Sequence, residues 1–166
     1  MAEKNIVFEK SSIKYKGFFE AKQLFLIIDG WLKDNNYVKA EKTSIQKNND
    51  SIMYAQHKLE PFKKVSDYAR FIIKIDITLS DVESVLIEKE GQKIPVEKGE
   101  VACDFTGLLE TDYQNKWDTK PIYFFMKTVF DKFIFRSERS NFDSELKGEI
   151  NDLMNEVKSF LNLYRF

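Results

Sequence analysis

The sequence predicts an α+β fold: an antiparallel β-sheet of about five to six strands with an N-terminal helix and long C-terminal helices packed on it. Three observations predict it. Apolar residues recur at steps of three and four over Phe18–Asp34, alternate with polar ones through much of residues 37–113, and return to steps of three and four in the last third. At 166 residues, 43% of them hydrophobic, the chain suits one α+β domain over residues 1–166.

Residues 6–15 read as an opening strand, with Ile6 and Phe8 on one parity and Ile13 and Tyr15 on the other. A bulge or break near Glu9–Ser12 reconciles the two, because one extra residue flips every following side chain. Phe18, Ala21, Leu24, Phe25, Ile28, Trp31 and Leu32 then share one helical face. Asn35-Asn36 is a suitable stop, since Asn tolerates the left-handed conformation. Residues 37–47 and 51–60 flank Asn48-Asn49-Asp50 and read as a hairpin.

Tyr68–Leu79 is the clearest strand, with Ala69, Phe71, Ile73, Ile75, Ile77 and Leu79 on one face. Val82–Lys89, a turn at Glu90-Gly91, a short piece ending near Val96 and Glu100–Tyr113 complete the β region. Pro95 marks the short piece as an edge, because proline has no N–H for a ladder. Pro121 suits a first helical turn, with Asp118 or Thr119 as cap. A further helix is expected after Ser140-Asn141, with Ser140 and Asp143 resembling a capping box. Phe142, Leu146, Ile150, Leu153, Val157, Phe160 or Leu161, and Tyr164 keep one face for roughly 34 Å, enough to cross a sheet.

The chemistry is narrowed by what is scarce. One Cys and one His exclude metal sites that need several soft or imidazole ligands. The six glycines at 17, 30, 91, 99, 107 and 148 are isolated, which excludes the common phosphate cradles. No cofactor and no catalytic residue is expected. His57 lies in a strand-like run without a nucleophile elbow, and Cys103 shares a parity with apolar residues, as a small core residue would. Asp104 and Glu110 lie ~20 Å apart along a strand, too far for a glycosidase pair.

Lys and Arg number 26 against 27 Asp and Glu, so duplex nucleic acid is not an expected partner. Residues 81–112 hold nine acids against three lysines, which reads as a solvated strand face. The charged N-terminus lacks a signal peptide's apolar core, and no run reaches the ~20 apolar residues of a transmembrane segment. A lone Cys makes no internal disulfide, so the expected compartment is the cytoplasm.

The strongest signal is aromatic. Eight of fifteen Phe lie in residues 121–166, and Pro121–Phe135 has ten apolar residues in fifteen. At ~100° per residue, Ile122, Tyr123, Phe125, Met126, Val129, Phe130, Phe133 and Ile134 fill one broad face, expected to be the main buried one. Phe124 and Phe135 fall opposite it, as Phe19 and Leu26 do on the first helix. These four, Phe124, Phe135, Phe19 and Leu26, are the candidate ligand or partner contacts, because one side of a helix cannot bury both faces.

In order of elements the chain resembles the helix-grip fold of the START and Bet v 1-like superfamily, where a long terminal helix lies across a curved antiparallel sheet. The resemblance covers most of the chain and is one of topology rather than of motif. Two departures stand out: one longer helix follows the first strand instead of two short ones, and a Phe-rich helix precedes the terminal one. The resemblance implies a non-catalytic binding module holding an apolar small molecule between sheet and C-terminal helix. The alternative is a structural or protein-interaction domain using helix 121–135, including as a homo-oligomer. A solid core with an exposed Phe patch separates the second reading from the first.

Overall fold

The computed structural model describes residues 2–115 and 120–163. The chain runs β1 (Glu3–Phe19), α1 (Ala21–Asp34), β2 (Glu41–Asn49), β3 (Ile52–Leu59), β4 (Phe62–Lys64), β5 (Ala69–Lys89) and β6 (Gln92–Thr111). A continuous C-terminal helix follows, made of α2 (Pro121–Val129), a π-helical turn (Phe130–Ile134) and α3 (Phe135–Asn162). The strands form one antiparallel, open sheet ordered β1-β6-β5-β3-β2, with β4 also on β5.

The parity conflict in β1 is resolved in part as expected. The register against β6 shifts between Phe8 and Ser11, but it also shifts between Ile6 and Phe8. Phe8, Ile13 and Tyr15 therefore face the core while Ile6, opposite Leu108, is left exposed. The Asn-rich turn leaves a two-residue loop, Asp50-Ser51, with Asp50 in the left-handed region at φ 54°. Glu90 and Gly91 join β5 to β6 with φ of 52° and 78°, the left-handed pair a tight hairpin of right-twisted strands requires. Pro95 lies in β6 opposite Leu86, beyond the last β1 partner at Glu97, so its missing N–H interrupts no ladder on that side.

Four expectations need correction. The helix expected at the N-terminus follows the first strand and starts at Ala21. Phe18 and Phe19 still pair with Lys98 and Glu97, so the strand ladder claims them. The piece ending near Val96 is not separate but part of one long β6. No helix starts at Ser140, because α3 runs through it without a cap. Of the C-terminal helices, α3 packs over the sheet, whereas α2 has Lys127 as its one buried residue.

One face of the sheet is covered. Phe71, Ile73, Ile75 and Ile77 from β5, with Cys103, Phe105 and Leu109 from β6, are fully buried. Over them lie Leu146, Ile150, Leu153 and Val157 of α3, at the i, i+3, i+4 spacing that makes one face, together with Leu24 and Ile28 of α1. Tyr164, expected to extend that face, lies outside the described residues. Gly107 lets the two layers close: a Cβ there would overlap Ile150 Cδ1 and sit 2.9 Å from Phe8 Cβ. Polar contacts fix the helices. Trp31 Nε1 donates to Asp152 at 2.7 Å, Tyr37 donates to Glu149 at 2.5 Å, and Lys63 pairs with Glu149. The other face carries a short apolar row, Ile6, Leu108, Ile72 and Phe62, and is otherwise largely polar; there Lys10 and Ser12 both bind the Asp104 carboxylate.

Candidate functional site

The segment Pro121–Ile134 is built as a helix for local reasons. Pro121 occupies the first turn, where its missing N–H costs nothing, and Lys120 before it is extended at φ −148°. Asp118 and Thr119, the expected caps, lie outside the described residues.

Its burial is the reverse of what its composition predicts. Lys127 is buried at 5% exposure, its Nζ 3.4 Å from Glu3 Oε1. Asp131 is half-buried and accepts a 2.6 Å hydrogen bond from the Tyr68 hydroxyl. Meanwhile Phe125 and Phe133 are 68% and 72% exposed, and Ile122, Tyr123, Met126, Val129 and Ile134 are exposed with them. The face expected to be buried therefore points outward, apart from Phe130, which is half-buried against the core. The inward side meets residues far away in sequence: Glu3 lies against Lys127 and Tyr68 donates to Asp131.

The π turn accommodates the change of direction. It adds the equivalent of one residue per turn, shifting the helical phase by roughly 100°. Phe124 and Phe135 therefore do not share a stripe: Phe124 is 67% exposed, while Phe135 is 3% exposed. Phe135 stands edge-on to Tyr68 at 5.2 Å and stacks on Phe130 at 6.2 Å, and Phe142 joins it to Phe71. This chain of rings ties the start of α3 to the sheet. Phe19 is fully buried in the core, whereas Leu26 is exposed on α1. Of the four candidate contacts, Phe124 and Leu26 are thus free surface and Phe19 and Phe135 are interior, and Phe124 alone lies in the 121–134 segment with the exposed apolar stripe.

Catalytic geometry is not assembled at His57. Its Nδ1 lies 3.0 Å from Ser44 Oγ and 4.0 Å from Glu41 Oε1, so both neighbours approach one ring nitrogen. A relay needs nucleophile and acid on opposite nitrogens. Cys103 is buried, and loss of solvation pushes its thiol up to about 12, away from a reactive thiolate. Among the described residues, no group of three or more His, Cys, Asp or Glu is placed to hold a metal ion. No described helix is long and apolar enough to cross a membrane.

One apolar cleft lies elsewhere. Ile87, Ile94 and Val96, on the ribbon where β5 and β6 run beyond β1, face Phe160 and Leu163 at the end of α3, with Glu20 and Lys89 at the rim. Its volume is about 370 Å³. The alternation of Ile94 and Val96 marks a strand face, but nothing local in the sequence brings Phe160 to it.

Comparison with protein-family models, curated proteins and solved structures found no match to this chain.

Proposed function

We propose that this protein is a non-catalytic interaction module that docks through the apolar face of residues 121–134. One observation carries the reading: the segment buries a lysine and leaves three Phe rings, two of them on the apolar face, about seven-tenths exposed. A chain optimised to remain alone gains by the opposite arrangement, since each large apolar side chain buried contributes roughly 1.5–3 kcal/mol. The filled space between α3 and the sheet also favours this reading over a ligand held inside. On this reading the module works in the cytoplasm, and the buried single thiol is compatible with that.

The test is the pair Phe125→Ser and Phe133→Ser in one chain. Circular dichroism and thermal melting should be unchanged, while association seen by sedimentation or co-purification is lost. A variant that fails to fold would show the rings to be internal core, and one that associates as before would remove the stripe from the contact.

A second reading is favoured by the apolar cleft at the far end of α3. We propose that an apolar small molecule would bind between Ile87, Ile94 and Phe160, as the helix-grip resemblance implies in kind though not in place. Native mass spectrometry of freshly purified protein should then show a bound mass that Ile94→Asp releases. A single unliganded mass would end this reading.

A further inference from the structure

The exposed apolar surface of α2 is a broad arc rather than a stripe. Ahead of the π turn, Ile122, Tyr123, Phe124, Phe125 and Met126 are consecutive and all exposed. At ~100° per residue they leave only the direction of Lys127 turned to the protein, an apolar arc of roughly 260°. A helix seated on a packed protein surface buries an arc nearer ~100°. A lipid surface has no fixed shape and admits a helix to about 5–10 Å, half or more of its ~10–12 Å diameter. It therefore accepts Phe124 and Phe125 together, although they project ~100° apart.

Charge selects the kind of lipid. Residues 120–139 hold five basic residues against two acidic ones, leaving 21 against 25 in the rest of the chain. Of the five, Lys127 turns inward to Glu3, while Lys120, Lys132, Arg136 and Arg139 are exposed. Of the two acids, Asp131 is half-buried and accepts from Tyr68, so Glu138 alone offsets these cations at the surface of the helix. The Lys132 ammonium lies 5.6 Å from the centre of the Phe133 ring, as when a lysine stem runs along apolar surface and leaves its charge at the edge. Arg136 and Arg139 follow Ile134 within roughly 8 Å along the axis, about one Debye length at physiological salt. A second copy would bring the same excess of cations to the contact, whereas an anionic surface answers it.

We infer that residues 120–139 lie on an anionic lipid surface, with the apolar arc of α2 sunk below the headgroups and Lys120, Lys132, Arg136 and Arg139 at the level of the phosphates. This rests on the docking reading above and names its partner. The helix lies on the bilayer without crossing it: residues 122–134 reach only ~20 Å, against a hydrocarbon core of ~30 Å.

Flotation of the intact chain with vesicles tests this. Vesicles of phosphatidylcholine and phosphatidylglycerol should carry the protein up a density gradient, and phosphatidylcholine alone should carry far less. Each basic residue close to an anionic surface strengthens binding roughly fivefold, so Lys132→Gln/Arg136→Gln/Arg139→Gln should weaken it on the order of 100-fold. Lys14→Gln/Lys16→Gln/Lys74→Gln removes the same charge from the outer face of the sheet and should weaken it about twofold at most, because salt screens charges so far from the contact. Phe125→Ser/Phe133→Ser should abolish flotation, and the two Gln variants keep the test independent of that variant's folding. No flotation with the anionic vesicles overturns the inference, as does equal weakening by the two Gln variants. If the unaltered chain does not float, yet the folded double Ser variant loses a dimer or a bound protein, the docking reading stands and the lipid surface alone falls. A folded double Ser variant that floats and associates as before overturns both.

Discussion

Replacing Gly107 by Ala probes the closest approach between α3 and the sheet. The new Cβ would overlap Ile150 Cδ1 and lie 2.9 Å from Phe8 Cβ, where ordinary contact begins at 3.4 Å. The Ile150 contact is the tighter of the two. Ile150 has nowhere open to go, because Leu146, Leu153 and Phe105 around it are also fully buried. The backbone at Gly107 is not left-handed, so the cost is steric, and overpacking of this kind costs ~1–3 kcal/mol. Ile150→Val removes the offending Cδ1 and alone costs ~0.5–1.5 kcal/mol. Combined with Gly107→Ala it should recover about half or more of the glycine substitution's cost, with the Phe8 contact setting the remainder. Urea melts of the four proteins, analysed as a double-mutant cycle at constant m-value, measure this coupling. A neutral Gly107→Ala, or strictly additive costs, would refute the close contact. Room would then exist between helix and sheet, and the interior ligand reading would regain its site.

Ile75→Ala should destabilise by about 2–5 kcal/mol in the same melts, as for other fully buried aliphatic truncations, and a loss under about 1 kcal/mol would contradict the inward face of β5. Burial, reinforced by hydrogen bonds to Glu149 and Asp131, pushes the Tyr37 and Tyr68 hydroxyls well above the ordinary phenol value. Both stay protonated in the folded chain while the unfolded chain ionises near pH ~10, so their contribution is complete below that pH and is lost as pH rises above it. Absorbance titration at alkaline pH should show these two tyrosines ionising only with unfolding, and Tyr37→Phe should make stability fall less steeply there. Cys103 should resist a thiol reagent at neutral pH until denaturant is added; fast labelling of the native protein would mean that β6 opens locally.

Much of the fold was legible because side-chain period is a local property. The alternation of Phe71, Ile73, Ile75 and Ile77 and the three-four steps of Leu146, Ile150, Leu153 and Val157 each need only a short window of sequence, and both sets are buried as read. The parity change in β1 and the turns at Asp50 and Glu90-Gly91 were legible for the same reason.

The candidate site was legible in composition but not in orientation. Residue types and spacing suffice to establish that residues 121–135 carry more apolar surface than one helical face can bury. The face that turns inward meets Glu3, which reaches Lys127 from 124 positions away, and Tyr68, which reaches Asp131 from 63. Phe19 fits a helix by its spacing, yet pairing with Glu97 across the sheet keeps it in β1. Phe135 aligns with Phe124 only on a uniform 3.6-residue period, which the π turn interrupts. Period fixes what a segment can bury; only the tertiary fold decides what it does bury, because the surfaces that meet each face come from elsewhere in the chain.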